Sequence, residues 1–258
     1  MSFAIATQAE LLKTKRTASV WLTVLGAAFI PVLFFTAYLL KPEGSISQLK
    51  QTPWNVHFFW GWQAMSIFLF PMYIILICSL IPQIEFKNNT WKQVFAAPQS
   101  VGTIFFSKFL TIQLMILFFF LLFNGLMLAT GVLVNLVNPK FTFLHHSFDW
   151  RALLKLNAKT YIAVLGISAI QYVLSLRFKN FIVPIGIGLA LLIGSIISMQ
   201  VGWEHRFLLP YIHPFLTLQY IKQQNHPALE NHEWNAIGYL VLVLLIGFLD
   251  MKLRREKG

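Results

Sequence analysis

The chain has 258 residues, of which 57% are hydrophobic and 11% are charged, and its mean hydropathy is +0.66. Soluble domains carry about 25% charged residues, so this composition indicates an integral membrane protein rather than a soluble domain. The formal net charge of +11 comes from basic residues that flank apolar runs, which favours lipid headgroups over nucleic acid as their partner, and the single cysteine, Cys78, excludes a disulfide framework.

The first predicted element is an amphipathic helix over residues 3–16. Ile5, Ala9 and Leu12 recur at helical spacing and form one apolar stripe. Such a helix can lie in the plane of the membrane interface, as a simple anchor or as a contact for a partner. The charged side chains of this helix lie outside the stripe: Glu10, Lys13, Lys15 and Arg16.

Six apolar segments follow, and a bilayer-crossing helix needs about 20 apolar residues. No cleavage pattern follows the first segment, so we expect it to remain as a membrane anchor. We therefore predict an all-α integral membrane protein with a single permease-like domain over residues 1–258. Gly125 and Gly131 predict that the third span bends or ends early on its outer side. The predicted spans cover residues 18–40, 58–82, 107–135, 156–176, 180–202 and 234–250.

A polar stretch, residues 83–108, separates the second and third spans. Asn89 and Thr90 can cap a short helix there. Trp91 and Phe95 are four residues apart and give this helix an aromatic face. Lys92 contributes polar surface, and Pro98 ends the helix. The pattern predicts a rigid projection, held by a span at each end, that a motor protein could grip to move both spans.

The distribution of Lys and Arg predicts the orientation. Their density in the segments that share a side with the two termini is roughly twice that on the opposite side, which places both termini in the cytoplasm by the positive-inside rule. We expect the cytoplasmic (inner) membrane of a bacterium. The longest outer segment, residues 202–233, is apolar and contains prolines, which predicts a broken helical hairpin that re-enters the outer leaflet.

Several kinds of chemistry are absent from the sequence. There is no GxxxxGK[ST] phosphate loop, so the energy for any transport must come from another protein. All nine acidic residues lie at or beyond the ends of the predicted spans, Asp250 included, which argues against a proton- or sodium-coupled carrier. Asn124 and Gln171 are polar residues inside spans, and they either bond neighbouring helices or line a substrate pathway.

The seven histidines all fall in predicted outer segments. Their spacings form no compact ligand motif, so we predict no metal site in this chain. Because histidine is the commonest metal ligand, an extracytoplasmic metal or haem site built on these segments stays open as an alternative.

Two stretches resemble the permease subunits of type-2 ABC exporters, most closely the branch with bacitracin- and lantibiotic-resistance permeases. One is Glu10-Leu-Leu-Lys-Thr-Lys-Arg16 before the first span, and the other is Glu85…Asn89-Thr90-Trp91-Lys92…Pro98…Ser107-Lys108 after the second. The resemblance implies that Glu10, Lys13 and Lys15 belong to an interfacial helix. It also implies a coupling helix that docks on a separate ATPase and includes Glu85, Thr90, Trp91, Lys92 and Pro98.

The resemblance further implies a transport subunit that is not itself an enzyme. Two permease subunits, identical or different, would pair with two ATPase chains in a lipid membrane and expel an amphipathic substrate such as a peptide antibiotic or a lipid. ATP and magnesium would bind the ATPase, so we expect no cofactor in this chain and no nucleic-acid partner. Two alternatives stay open: an ABC permease for metal-centre or haem maturation, and a non-transporting scaffold that uses the His-rich outer loops.

Overall fold

A computed structural model describes residues 2–15, 17–88, 90–91, 93, 99–221 and 227–255, with the backbone alone for residues 254–255. Over these residues the chain is helical and contains no strand. Six helices in the described part are long and apolar enough to cross a membrane, which confirms the predicted number of spans.

The helices alternate in direction along the chain. The spans are α2, the continuous unit of α4 and α5, then α6, α7, α8 and α10. We call the end of the bundle where α2 begins the proximal end and the other the distal end. The bounds are α1 Phe3–Thr14, α2 Ala18–Leu40, α3 Pro42–Leu49, α4 Pro53–Ala64, α5 Phe70–Asn88, α6 Val101–Val137, α7 Trp150–Arg177, α8 Ile182–Gln200, α9 His213–Tyr220 and α10 Asn231–Arg255.

The second, third and fourth spans begin five or more residues earlier than predicted, and the fourth, predicted over 156–176, extends over Trp150–Arg177. The second, predicted over 58–82, extends over Pro53–Asn88, and the third, predicted over 107–135, extends over Val101–Val137. The third span therefore does not end early, so that alternative is wrong, while a bend at Gly125 or Gly131 stays a prediction. Gly131 serves packing, because a Cβ atom at this position would lie 2.6 Å from the ring of Trp54.

A π-helical turn, Met65–Leu69, joins α4 to α5, and the N–H of Phe70 donates to the carbonyl of Met65. Pro71 follows immediately. Proline has no N–H to donate, and in a regular α-helix its ring would clash with the carbonyl four residues earlier. The wider turn accommodates the proline without interrupting the span.

The interior of the bundle is aromatic and closely packed. Trp62, Phe70, Phe119 and Phe123 are buried, and Tyr73 stacks on Phe119 with ring centroids 4.3 Å apart. The most extensive helix contacts join α7 to α10 and α2 to α6. Within lipid, such contacts stabilise the bundle through close van der Waals packing and interhelical hydrogen bonds.

The distal segment between α8 and α10 is folded against the protein. It contains the 3₁₀ turns Glu204–Leu208 and Pro210–Ile212, followed by α9, and residues 210–218 are buried, with α9 against α7. Short helical pieces that are interrupted and covered by protein agree with the part of the prediction that described this segment as a broken helix. Re-entry of this segment into the bilayer stays a prediction.

Candidate coupling site

Four charged side chains meet at the proximal end of the bundle. Lys108 of α6 donates to Glu85 of α5 at 2.5 Å and to Glu10 of α1 at 2.7 Å. Lys13 of α1 donates to the same two carboxylates, to Glu10 at 2.6 Å and to Glu85 at 3.0 Å. We call Glu10, Lys13, Glu85 and Lys108 the proximal cluster. It is electrically neutral and joins α1 to the end of the second span and the start of the third.

The proximal cluster is shielded from solvent to different degrees. The side chains of Lys108 and Glu85 are 0% and 1% exposed, whereas that of Lys13 is 37% exposed. A buried ion is tolerated only where partners satisfy it, and each carboxylate here accepts from both lysines. Burial alone would raise the pKa of Glu10, but the charges and hydrogen bonds of Lys108 and Lys13 outweigh burial, so its pKa lies below its usual value.

The sequence of α1 explains why this helix reaches the cluster. Its polar residues Thr7, Glu10 and Thr14 recur at helical spacing, are buried, and face the start of α6. Ile5 and Leu12, which belong to the predicted apolar stripe, are exposed instead. A helix that buries its polar face needs polar partners inside the protein. Glu85 and Lys108 supply them.

The proximal cluster also touches the polar stretch that precedes α6. The N–H of Thr90 donates to the carbonyl of Glu85 at 3.0 Å. The Trp91 ring packs on Phe86, with centroids 5.2 Å apart, and the ammonium of Lys108 lies 5.7 Å from the Trp91 ring centroid. A cation at this distance is attracted by the electron-rich face of the ring. The described start of the stretch is therefore packed onto the cluster.

The structure brings together three of the residues predicted to form the two proximal helices, Glu10, Lys13 and Glu85, and places Thr90 and Trp91 beside them. Lys15, at the end of α1, is exposed. Five predicted residues lie outside the described part or have no described side chain: Arg16, Asn89, Lys92, Phe95 and Pro98.

Lys108 was not predicted as a site residue, although it makes two contacts at the centre of the cluster. The sequence contains a signal that could have identified it. Lys108 is the only charged residue within the predicted third span. Charges are rare inside spans because they are costly there, so one that is present usually has a partner or a function.

A second polar contact lies deeper in the bundle and joins the first span to the second and third spans. The hydroxyl groups of Thr23 in α2 and Tyr73 in α5 are 3.0 Å apart. Tyr73 also donates to the carbonyl of Met115 in α6 at 3.1 Å. α2, α5 and α6 are thus hydrogen-bonded to one another beyond the proximal cluster.

The two candidate pathway residues bond neighbouring parts of the chain. Asn124 in α6 donates to Asn157 of α7 at 2.7 Å. Gln171 in α7 is fully buried and donates to the hydroxyl of Tyr211 in the distal segment at 2.8 Å. These contacts fit the interhelical alternative named above, while a role in substrate passage stays a prediction.

Three histidines are buried rather than placed at a wet interface. His57 is 0% exposed, and its Nε2–H donates to the carbonyl of Met127 at 3.0 Å while its Nδ1 accepts from the hydroxyl of Tyr38 at 2.9 Å. His213 donates to the carbonyl of Phe207, and burial lowers its pKa to about 4. His232 lies 2.9 Å from the hydroxyl of Thr217.

The histidines do not form a recognisable metal centre in the part of the chain that is described. Over those residues, no three His, Cys, Asp or Glu side chains come together in a group that could hold a metal ion. His145, His146 and His205 are exposed, and His226 lies outside the described residues. No observation on these residues favours the metal-related alternative.

Comparison with known proteins adds one match. A family model described as "ABC-2 family transporter protein" matches residues 6–195. The match covers most of the chain, including the whole proximal cluster and the spans from α2 into α8. No curated protein and no solved structure matches the chain.

Proposed function

The chain belongs to the ABC-2 family of transporters and is a membrane permease of that family, and we propose that it receives energy from a separate ATPase through residues 85–98. A permease of this family works in general with an ABC ATPase, and the sequence contains no phosphate loop of its own. ATP hydrolysis therefore belongs to the partner chain, and this chain converts the resulting movement into transport.

The proximal cluster is the observation that carries this proposal. Glu85 and Lys108 lie on the two spans that flank the polar stretch, and their side chains are bonded directly to each other. A force applied to the stretch would therefore reach both spans at once rather than bend a loose loop. Trp91, packed between Phe86 and Lys108, gives the stretch a rigid aromatic attachment to the bundle.

We propose export of an amphipathic substrate by a pair of permease subunits in a bacterial inner membrane, with both termini in the cytoplasm. The support comes from the resemblance to exporters of the bacitracin- and lantibiotic-resistance branch and from the Lys and Arg distribution. In this arrangement the proximal end of the bundle faces the ATPase. ATP-driven closure of the two ATPase chains would push the polar stretches and narrow the space between the paired permeases.

Co-purification tests the coupling proposal. We expect an ABC ATPase to accompany the affinity-tagged chain from its native membrane. The double variant Trp91→Ala, Phe95→Ala should lose most of the bound ATPase, because it removes the packing of Trp91 that attaches the stretch to the bundle and the aromatic side chain predicted on the same helix face at Phe95. Trp150→Ala is the matched control, since this tryptophan is exposed at the distal end. The proposal fails if no ATPase accompanies the wild-type chain, or if the double variant retains it fully.

A further inference from the structure

We propose that α1, α2 and the proximal ends of α5 and α6 form one rigid body, with Glu10 and Lys108 as the positioning residues that hold α1 in it. This inference rests on the proposed function and extends it. The movement received by residues 85–98 would drive the first span and the N-terminal helix together with the second and third spans.

The first argument is that each charged side chain of the proximal cluster is bonded to two others. Glu10 accepts from Lys13 of its own helix and from Lys108 of α6, and Glu85 accepts from the same two lysines. Moving α1 away from α6 would leave the buried Lys108 with a single carboxylate partner. Separating a buried ion from its partner costs several kcal/mol, which makes independent movement of α1 unfavourable.

The second argument is the contact between α2, α5 and α6 deeper in the bundle. Thr23, Tyr73 and the carbonyl of Met115 link these helices in one hydrogen-bonded chain. α5 and α6 are thus fixed to each other at two depths, by charge in the proximal cluster and by Tyr73 deeper in the bundle, and α2 joins them at the deeper level through Thr23.

The third argument is the contrast with α10. This helix packs mainly on α7, and at the proximal end the ion pair between them, Arg177 with Asp250, is solvent-exposed with the atoms 3.9 Å apart. Exposed ion pairs contribute little to stability, because water and salt screen their charges. Tyr172 and Ser175 join α7 to α6 and α5 through buried hydrogen bonds. The helix whose proximal end is least tightly held to the group of α1, α2, α5 and α6 is therefore α10.

Pulsed electron paramagnetic resonance tests this inference on the complex with its ATPase. In a Cys78→Ser background, one pair of spin labels on Gln8 and Asn88 reports the distance between α1 and α5. A second pair on Asn88 and Leu253 reports the distance between α5 and α10. All three positions are exposed. The states compared are nucleotide-free and trapped with ATP, magnesium and vanadate.

In the wild-type complex we expect the distance between residues 8 and 88 to be the same in both states, while the distance between 88 and 253 shifts. Glu10→Gln should broaden the 8–88 distribution or make it depend on nucleotide, because α1 loses its buried ionic link to α6 and keeps only the pair of the partly exposed Lys13 with Glu85, although Glu85 and Lys108 remain paired. Arg177→Gln is the matched control at an exposed pair and should leave the 8–88 distance unchanged.

The outcomes separate the inference from the proposed function. If both distances shift with nucleotide in the wild type, or if Glu10→Gln leaves the 8–88 distribution narrow and unchanged, the rigid body is overturned while ATPase-driven movement stands. If neither distance responds to nucleotide, the proposed coupling fails, and the inference fails with it.

Discussion

At the scale of single residues, Lys108 determines whether the proximal cluster is stable. Lys108→Met keeps a side chain of similar length but leaves two carboxylates with only the partly exposed Lys13. We expect this change to lower the free energy of unfolding by about 3–5 kcal/mol, as for other broken buried pairs. Chemical denaturation in detergent measures the loss.

Two further variants make this prediction specific. Lys15→Met removes a charge from the same end of the bundle, but Lys15 is exposed, so its effect should stay within about 0.5 kcal/mol. Adding Glu85→Gln to Lys108→Met removes the uncompensated charge and should restore part of the lost stability. Equal stability of Lys108→Met and the wild type would contradict the assigned pairing.

The lowered pKa of Glu10 predicts that the stability of the protein falls at acidic pH. Its folded pKa lies below 4.5, since Lys108 and Lys13 outweigh the opposing effect of burial. The stabilisation from ionised Glu10 is therefore fully present above pH 4.5 and is lost as the pH falls through the lower folded pKa. Thermal unfolding should show a steeper fall in midpoint below pH 4.5 for the wild type than for Glu10→Gln. Parallel curves would exclude this contribution.

At the scale of elements, the close contact of α8 with α7 depends on one of its glycines. A Cβ at Gly188 would lie 2.0 Å from Nε2 of Gln171, the atom that donates to Tyr211, and 2.9 Å from Ile75. We expect Gly188→Ala to cost about 1–3 kcal/mol by overpacking. Gly186→Ala is the matched control because nothing lies within 4 Å of its Cβ position. Unfolding of both variants in detergent gives the comparison, and equal stability would be the contrary result.

The helical elements could be predicted from the sequence because the signal for a span is local. A long uncharged apolar run identifies each one, and all six were found this way. The second span was predicted too short because His57 and the residues around it resemble an interface. In the structure His57 is buried and bonded to Tyr38 and Met127, and no local pattern reveals partners in other helices.

The site was less predictable than the fold for the same reason. Glu10 and Glu85 were expected to act in two separate proximal helices. The side chain of Lys108 joins them although it is 98 residues from Glu10 and 23 from Glu85. The side of α1 that faces the protein could not be chosen from periodicity alone. Within a membrane protein, the apolar stripe with Ile5 and Leu12 can face outward while Thr7 and Glu10 face polar partners inside.

At the scale of the whole molecule, the predicted topology makes the two ends of the bundle chemically distinguishable in cells. In the Cys78→Ser background, His146→Cys at the distal end should react with an impermeant maleimide added to intact cells. Lys87→Cys at the proximal end should react only after the membrane is permeabilised. Both side chains are exposed, so the position of the membrane, not burial, controls the reaction. The reverse labelling pattern would place the termini outside.

The π-helical turn in the second span has a consequence for the phase of its side chains. An α-helix advances about 100° per residue, so one extra residue in a turn rotates all of α4 by that angle relative to α5. With this offset, His57 points to Tyr38 and Met127 while Tyr73 points to Thr23 and Met115. Deleting one residue from Met65–Leu69 would produce a more regular helix, but α4 would be rotated so that His57 no longer faces Tyr38 and Met127. Related permeases that keep a histidine at position 57 should therefore also keep the extra residue of the π-helical turn, and those that lose one should lose the other.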